Sequence, residues 1–154
     1  MKLTFIRHAE SVFNATKEDI IDCDITLKGI SQANSLLGHY DIVIISPLLR
    51  TKRTLEESKI TYDKLITSFL VREFIQDYCD ILESESFKKE TEKSILERID
   101  KFNEYLKNEE FKGKNIAIIC HSDFIWYYTS SIKNGIRFGI HPKNTEKVEY
   151  VMRY

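Results

Sequence analysis

The chain has 154 residues, of which 42% are apolar, 31% charged and 12% aromatic, a mixture that fits one soluble domain (residues 1–154) and excludes a fibre, a disordered tail or two substantial domains. Positive and negative side chains nearly cancel, to a formal charge of −1, so nucleic acid is not an expected partner and any pull on an anion must come from a local cluster of arginine and histidine. The three cysteines, Cys23, Cys79 and Cys120, are odd in number and far apart, which argues against both a disulfide framework and a zinc site.

The first element is the apolar run Leu3-Thr4-Phe5-Ile6, a buried strand by its branched and aromatic content. It meets Arg7 and His8 before a signal-peptide core could form, and no later run approaches membrane-spanning length, which predicts a cytoplasmic protein without membrane contact. Glu18, Asp19, Asp22 and Asp24 read as a solvated loop that disfavours highly anionic substrates. Thr26 is a good N-cap for a helix over Leu27 to Leu37 stopped by Gly38. Ile42-Val43-Ile44-Ile45 is a second buried strand, and Ser46-Pro47 opens a helix to about Ser58.

Leu65-Ile66 is a candidate strand, while Phe69 to Leu82 shows no clear period. Glu83 to Lys107 reads as a charged helix with one buried stripe of Ile95, Leu96, Ile99, Phe102 and Leu106, Lys88 to Lys93 lying on its solvated face. Ile116-Ala117-Ile118-Ile119-Cys120 is the third buried strand, with Cys120 as a small core residue, and Val148 to Met152 alternates as an edge strand should. His39 and His141 lack any motif context and read as surface residues. Strands interleaved with helices predict an α/β domain, a three-layer sandwich around a mostly parallel sheet of about five or six strands.

The chemistry follows the strands. The first ends in Arg7 and His8, the second in Ser46-Pro47 with Arg50 one turn on, and the third in His121. Ligands of open parallel sheets bind beyond the carboxyl ends of the strands, so two arginines and two histidines are expected to converge there. Taken singly, each would read as a core histidine, a helix cap or a surface cation; their shared placement reverses that reading. Guanidinium forks match phosphate oxygens and a neutral imidazole can accept a phosphoryl group, so the set suits a phosphate.

These residues carry a resemblance. Arg7-His8-Ala9-Glu10-Ser11 with Asn14 resembles the RHGE signature of the histidine phosphatase superfamily, the phosphoglycerate-mutase-like proteins. Ile25-Thr26-Leu27-Lys28-Gly29-Ile30-Ser31-Gln32-Ala33 is similar to its LTxxGxxQA helix start, and Ser46-Pro47-Leu48-Leu49-Arg50-Thr51-Lys52-Arg53-Thr54 to its SPLxRAxQTA element. Arg72-Glu73 falls where the family places an acidic proton donor, and His121-Ser122 where it places its second histidine.

The resemblance implies a phosphomonoester phosphatase working through phosphohistidine on His8. Arg7, Arg50 and His121 would bind the phosphoryl oxygens, Asn14, Ser11 and Ser122 would line the substrate pocket, and Glu73, its pKa raised by burial, would protonate the leaving group. Positioned cations stabilise the charge of the transferring group, so neither a metal nor another cofactor is expected. The substrate would be a phosphorylated small molecule or a phosphoprotein. Two departures stand out: Ala9 replaces a glycine, and Ser122-Asp123 replaces a glycine-rich pair, making Asp123 a rival proton donor. The glycines usual after the acidic residue are missing from Phe74 to Leu82, which changes the substrate-side wall. Glu10 reads as a structural residue that orients an arginine. Mutases of this family are longer and close their sites with a tail, so a phosphatase is expected over a phosphoglycerate-mutase-type phosphotransferase. A phospholigand-binding regulatory module that has lost turnover is the other alternative.

Overall fold

The computed structural model describes residues 1–152. Its centre is a five-stranded sheet built from β1 (Lys2–Arg7), β2 (Leu37–Ile45), β3 (Lys59–Thr67), β4 (Asn115–Cys120) and a late strand, Lys147–Val151. The order across the sheet is β3-β2-β4-β1 followed by Lys147–Val151, all parallel except the last, which runs antiparallel to β1. This is the predicted three-layer α/β architecture, including the terminal edge strand.

Both faces of the sheet are buried, which is why the strands read as continuous apolar runs rather than alternating ones. Leu3, Phe5, Ile42, Ile44, Ile116 and Ile118 point to one side. Ile6, Val43, Ile45, Ala117 and Ile119 point to the other. The helices are α1 (Val12–Thr16), α2 (Leu27–Asn34), α3 (Leu49–Glu57), α4 (Glu92–Tyr105) and α5 (Ser122–Thr129). Helix α4 lays Ile95, Ile99 and Phe102 on the first face, with Leu106 just beyond it, and α5 adds Phe124, Ile125 and Tyr128. Leu55 of α3 packs on the second face. A two-stranded hairpin of β5 (Ser131–Lys133) and β6 (Ile136–Phe138) follows α5, and Lys147–Val151 is β7. Among the described residues no helix is long and apolar enough to cross a membrane.

Thr26 caps α2 as expected: its Oγ1 accepts from Gly29 N at 3.0 Å and donates to Glu10 Oε1 at 2.8 Å. Thr26→Ala should therefore cost about 1 kcal/mol, the usual worth of such a cap, read as a lower denaturation midpoint at unchanged slope. Gly29 is required by a close approach, since a Cβ there would overlap the Glu10 carbonyl oxygen.

Two helix boundaries differ from the sequence reading. Helix α2 stops at Asn34, because residues from Leu37 onward are captured as strand β2 by pairing with β3, Leu37 opposite Lys59. The charged segment 83–91 is not helical, and α4 starts only at Glu92 behind the Thr91 cap. Residues 88–91 are therefore not a solvated helix face. Glu85 turns back to accept from Arg72 Nη1 and Nη2, at 2.7 and 2.8 Å, and Glu90 meets Arg98 at 2.8 Å with only 7% of its side chain exposed.

Candidate active site

The register of the sheet sets the strand ends level. Arg7 lies opposite Cys120 and Ile45 opposite Ile119, so His8, Ser46 and His121 come next on three adjacent strands. Two further bonds extend the ladder to them, His8 N to Cys120 O at 3.0 Å and Ser46 N to Ile119 O at 3.3 Å. The sheet thus brings two imidazoles close together, with ring centres 5.3 Å apart and planes tilted by 57°.

A cavity of about 210 Å³ opens at this edge, lined by residues that include Arg7, His8, Ser11, Asn14, Arg50, Glu73 and Ser122. Every residue expected at the site lines it except His121, which is fully buried. The arrangement around His8 determines its chemistry. Its Nδ1 lies 2.6 Å from the Ala9 carbonyl oxygen, which can only accept, so Nδ1 carries the proton and Nε2 keeps a free lone pair. Burial holds the His8 pKa well below the usual range, reinforced by Arg50 and Arg7 and opposed by the bond to Ala9, so the ring is neutral near pH 7.

The same logic orients His121. The buried Ser46 hydroxyl accepts from Leu48 N at 3.2 Å, and its own proton has one acceptor among the described residues, His121 Nε2 at 2.8 Å. His121 then carries its hydrogen on Nδ1, which is buried without a partner among the described residues. Burial, Arg50 and His8 push its pKa down, in that order. A buried donor without an acceptor is costly.

Glu73 is 8% exposed and sits against the first turn of α5. Oε1 accepts from Phe74 N at 2.8 Å and Phe124 N at 3.0 Å, while Oε2 has only a 3.3 Å contact with Asp123 N. Burial raises its pKa to about 8, with Asp123 and Asp80 adding to the rise and Arg50 opposing it. It is therefore no exposed partner of Arg72, which pairs with Glu85 instead. The neighbouring Asp123 carboxyl is also raised, first by burial, but 44% of the side chain remains exposed and it faces His141 at 3.8 Å.

Arg7 reaches from the end of β1 and is anchored by Nη1 to the Pro142 carbonyl at 3.0 Å. Arg50 is 3% exposed, and its fork holds Cys79 O at 2.6 Å and Asp80 Oδ1 at 2.9 Å. Ser11 is 2% exposed and caps α1 through a reciprocal pair with Asn14, each accepting from the other's backbone at 3.1 Å. Ala9 fits without strain: its φ is outside the left-handed region, its methyl packs with Ile25 and Ala33, and its N–H donates to Thr54 Oγ1 at 2.9 Å.

Residues of the site that escaped the sequence reading include Asp80, Cys79, Asn144 and His141. Asp80 ties Arg50 to the wall and also accepts from Gln76 N and Asp77 N, both at 3.0 Å. The only signal was Asp77-x-x-Asp80, an acid three residues after an N-cap acid, which the structure makes a reciprocal cap. Cys79 lends Arg50 its carbonyl, and nothing in the sequence pointed to that. Asn144 Nδ2 donates to His8 O at 3.1 Å and Asn14 Oδ1 at 3.2 Å, from a loop with no motif. His141 is exposed as expected but belongs to the site's rim, with Nδ1 2.9 Å from Ser122 Oγ.

Other expectations need correction. Glu10 orients no arginine; it bonds Thr26 and lies 3.8 Å from Lys28. The acidic loop is not merely solvated, because unpaired backbone groups nearby recruit it: Asp19 accepts from Tyr78 N and Cys79 N, Asp22 from Leu49 N, and Asp24 pairs with Arg53.

Comparison with solved structures places this geometry among known folds. The chain is similar to the product of open reading frame Rv3214 from Mycobacterium tuberculosis, at 17% identity over 94% of this chain and 97% of that one, with a TM-score of 0.62. It is also similar to TTHB049 from Thermus thermophilus, at 22% identity over 84% of this chain and 83% of that one, TM-score 0.62. A third similarity is to a candidate alpha-ribazole-5'-P phosphatase from Escherichia coli, at 20% identity over 79% and 74% of the two chains, TM-score 0.60. No family model matches the chain, and no curated protein does.

Proposed function

On the histidine phosphatase (phosphoglycerate-mutase-like) fold, which this chain shares with those structures, we propose that the cavity at the strand ends hydrolyses phosphomonoesters through a phosphohistidine. The observation that carries the reading is the His8 imidazole, locked by Ala9 in the tautomer that presents Nε2 to a cavity containing Arg7 and Arg50.

In the first step His8 Nε2 attacks phosphorus, the P–N bond forms, and the bond to the leaving oxygen breaks. Arg7, Arg50 and the Nδ1–H of His121 take the charge on the equatorial oxygens. Glu73 delivers its proton to the departing alkoxide. Oε2 is the oxygen suited to carry that proton, because Oε1 is already committed to two backbone donors. In the second step water attacks phosphorus, gives a proton to Glu73, and the P–N bond breaks to restore His8. The substrate is a phosphorylated small molecule or phosphoprotein met in the cytoplasm.

Turnover of p-nitrophenyl phosphate tests the reading. Hydrolysis should be unchanged by a chelator, because guanidinium and imidazole groups take the part that metal ions play in other phosphatases. Loss of activity in chelator with recovery on adding a divalent metal would refute it. One observation favours the alternative of a phosphate-binding module: the Arg50 fork is engaged by Asp80. That alternative expects saturable phosphate binding with no release of nitrophenol.

A further inference from the structure

A second hollow of about 160 Å³ adjoins the first, lined by Phe74, Asp123, Trp126, Tyr127 and His141. Asp123 lines both, and the Ser122–His141 bond ties the wall of one to the wall of the other. The hollow is aromatic and tightly built. The His141 ring lies on the Trp126 indole with centres 5.5 Å apart and planes 16° apart, and Tyr127 stands edge-on to Trp126 at 4.8 Å and to Phe74 at 5.1 Å. Gly139 allows this closeness, because a Cβ there would overlap the Trp126 carbonyl oxygen and come within 3.0 Å of its ring.

The direction of the chemistry points to this hollow. Glu73 must face the leaving oxygen, and the next residue in the chain, Phe74, already belongs to the aromatic lining. Charge narrows the choice further. Asp77, Asp80 and Asp123 line the first cavity beside only two arginines, one of them paired with Asp80. One phosphoryl dianion can be matched there, but a second anionic group on the leaving side would meet Asp123 and Asp77.

We infer that the substrate carries a single phosphoryl group and an uncharged or cationic leaving group with a flat aromatic ring, which lies against Trp126 and His141. This rests on the phosphomonoesterase reading and names its substrate class. Stacking on such a platform is sequence-blind and shape-sensitive: a planar π face gains, a puckered ring of equal size does not.

Benzyl phosphate and cyclohexylmethyl phosphate provide the test, since both leave as simple alkoxides and differ in the ring alone. Intact enzyme should favour benzyl phosphate by about tenfold in kcat/KM. Trp126→Leu should bring that ratio to about one while leaving glycerol phosphate hydrolysis unchanged, and His141→Ala, at an exposed rim position, should lower it without touching the core. A 4-carboxybenzyl phosphate should be turned over about tenfold more slowly than benzyl phosphate. Trp126 is the single tryptophan of the chain. Its emission in the His8→Ala protein should therefore respond to benzyl phosphate and not to inorganic phosphate or the cyclohexyl compound. Hydrolysis of both esters at equal kcat/KM, or an equal emission response to both, would overturn the aromatic subsite and leave the phosphomonoesterase reading intact. Hydrolysis of neither would overturn that reading, and a benzyl-selective emission response would then still uphold the subsite.

Discussion

His8→Ala should lower turnover of any phosphomonoester by roughly 10⁴- to 10⁶-fold, the scale on which removal of a covalent nucleophile is felt. The other imidazole cannot substitute. The Nε2 of His121 is occupied by Ser46 and its Nδ1 carries a proton, so it has no free lone pair to offer. The fold should survive, because the ring's hydrogen bond is to the adjacent Ala9 and no long-range bond of its side chain is lost. An unchanged circular dichroism spectrum with absent turnover is the expected pair of results. Acid quenching of the native enzyme during turnover should capture no phosphate on serine or cysteine, whereas alkaline quenching should recover it on His8. Substantial residual activity in His8→Ala would remove the nucleophile from the proposed mechanism.

Glu73→Gln should act selectively. Alkyl phosphates leave as strongly basic alkoxides and need a proton in the transition state, so their phosphorylation step should slow by roughly 10²- to 10⁴-fold. Nitrophenyl phosphate needs that proton far less and should lose much less in single-turnover phosphorylation. The pH profile gives an independent check. With its pKa raised to about 8, Glu73 is protonated below that value and able to donate, so alkyl phosphate turnover should fall as pH rises through about 8. His8, its pKa depressed, is already neutral at pH 7 and contributes no fall there. Glu73→Gln should erase the alkaline limb. If instead Asp123→Asn shows the leaving-group-dependent loss and Glu73→Gln does not, the acid is Asp123.

The division between what the sequence discloses and what it hides has a physical origin. Arg7, His8, Arg50 and His121 were legible because each follows a run of branched apolar residues or the turn after it, and parallel strands end at one edge. The wall from Phe69 to Glu90 was not, because it is held without any apolar period. Its short 3-10 turns, Phe69–Val71 and Tyr78–Asp80, are joined by acids that accept backbone N–H groups: Asp80 from Gln76, Glu85 from Leu82, and Glu90 from Ile75. Arginines then neutralise those acids, Arg50 and Arg98 from outside the stretch and Arg72 from within it. A stretch rich in charge therefore looks solvated until its partners are known. Ala9 and Thr26, by contrast, behaved as local rules require, because a cap and an allowed φ depend on neighbours in the chain.

The order of the sheet also bears on how the protein is made. Strand β1 is made before every other strand of the sheet, yet both its partners lie far along the chain, Lys2 pairing with Asn115 on one side and Val151 on the other. Such long-range pairing slows folding, because chain closure must be completed before any contact rewards it. Until β4 emerges, Leu3, Phe5 and Ile6 have no sheet to enter and form an exposed apolar strand of the kind that chaperones shield. His8, which follows it, is consequently set in place only once β4 has been made, so a nascent chain holding every residue up to the end of α4 carries His8 without the cavity around it.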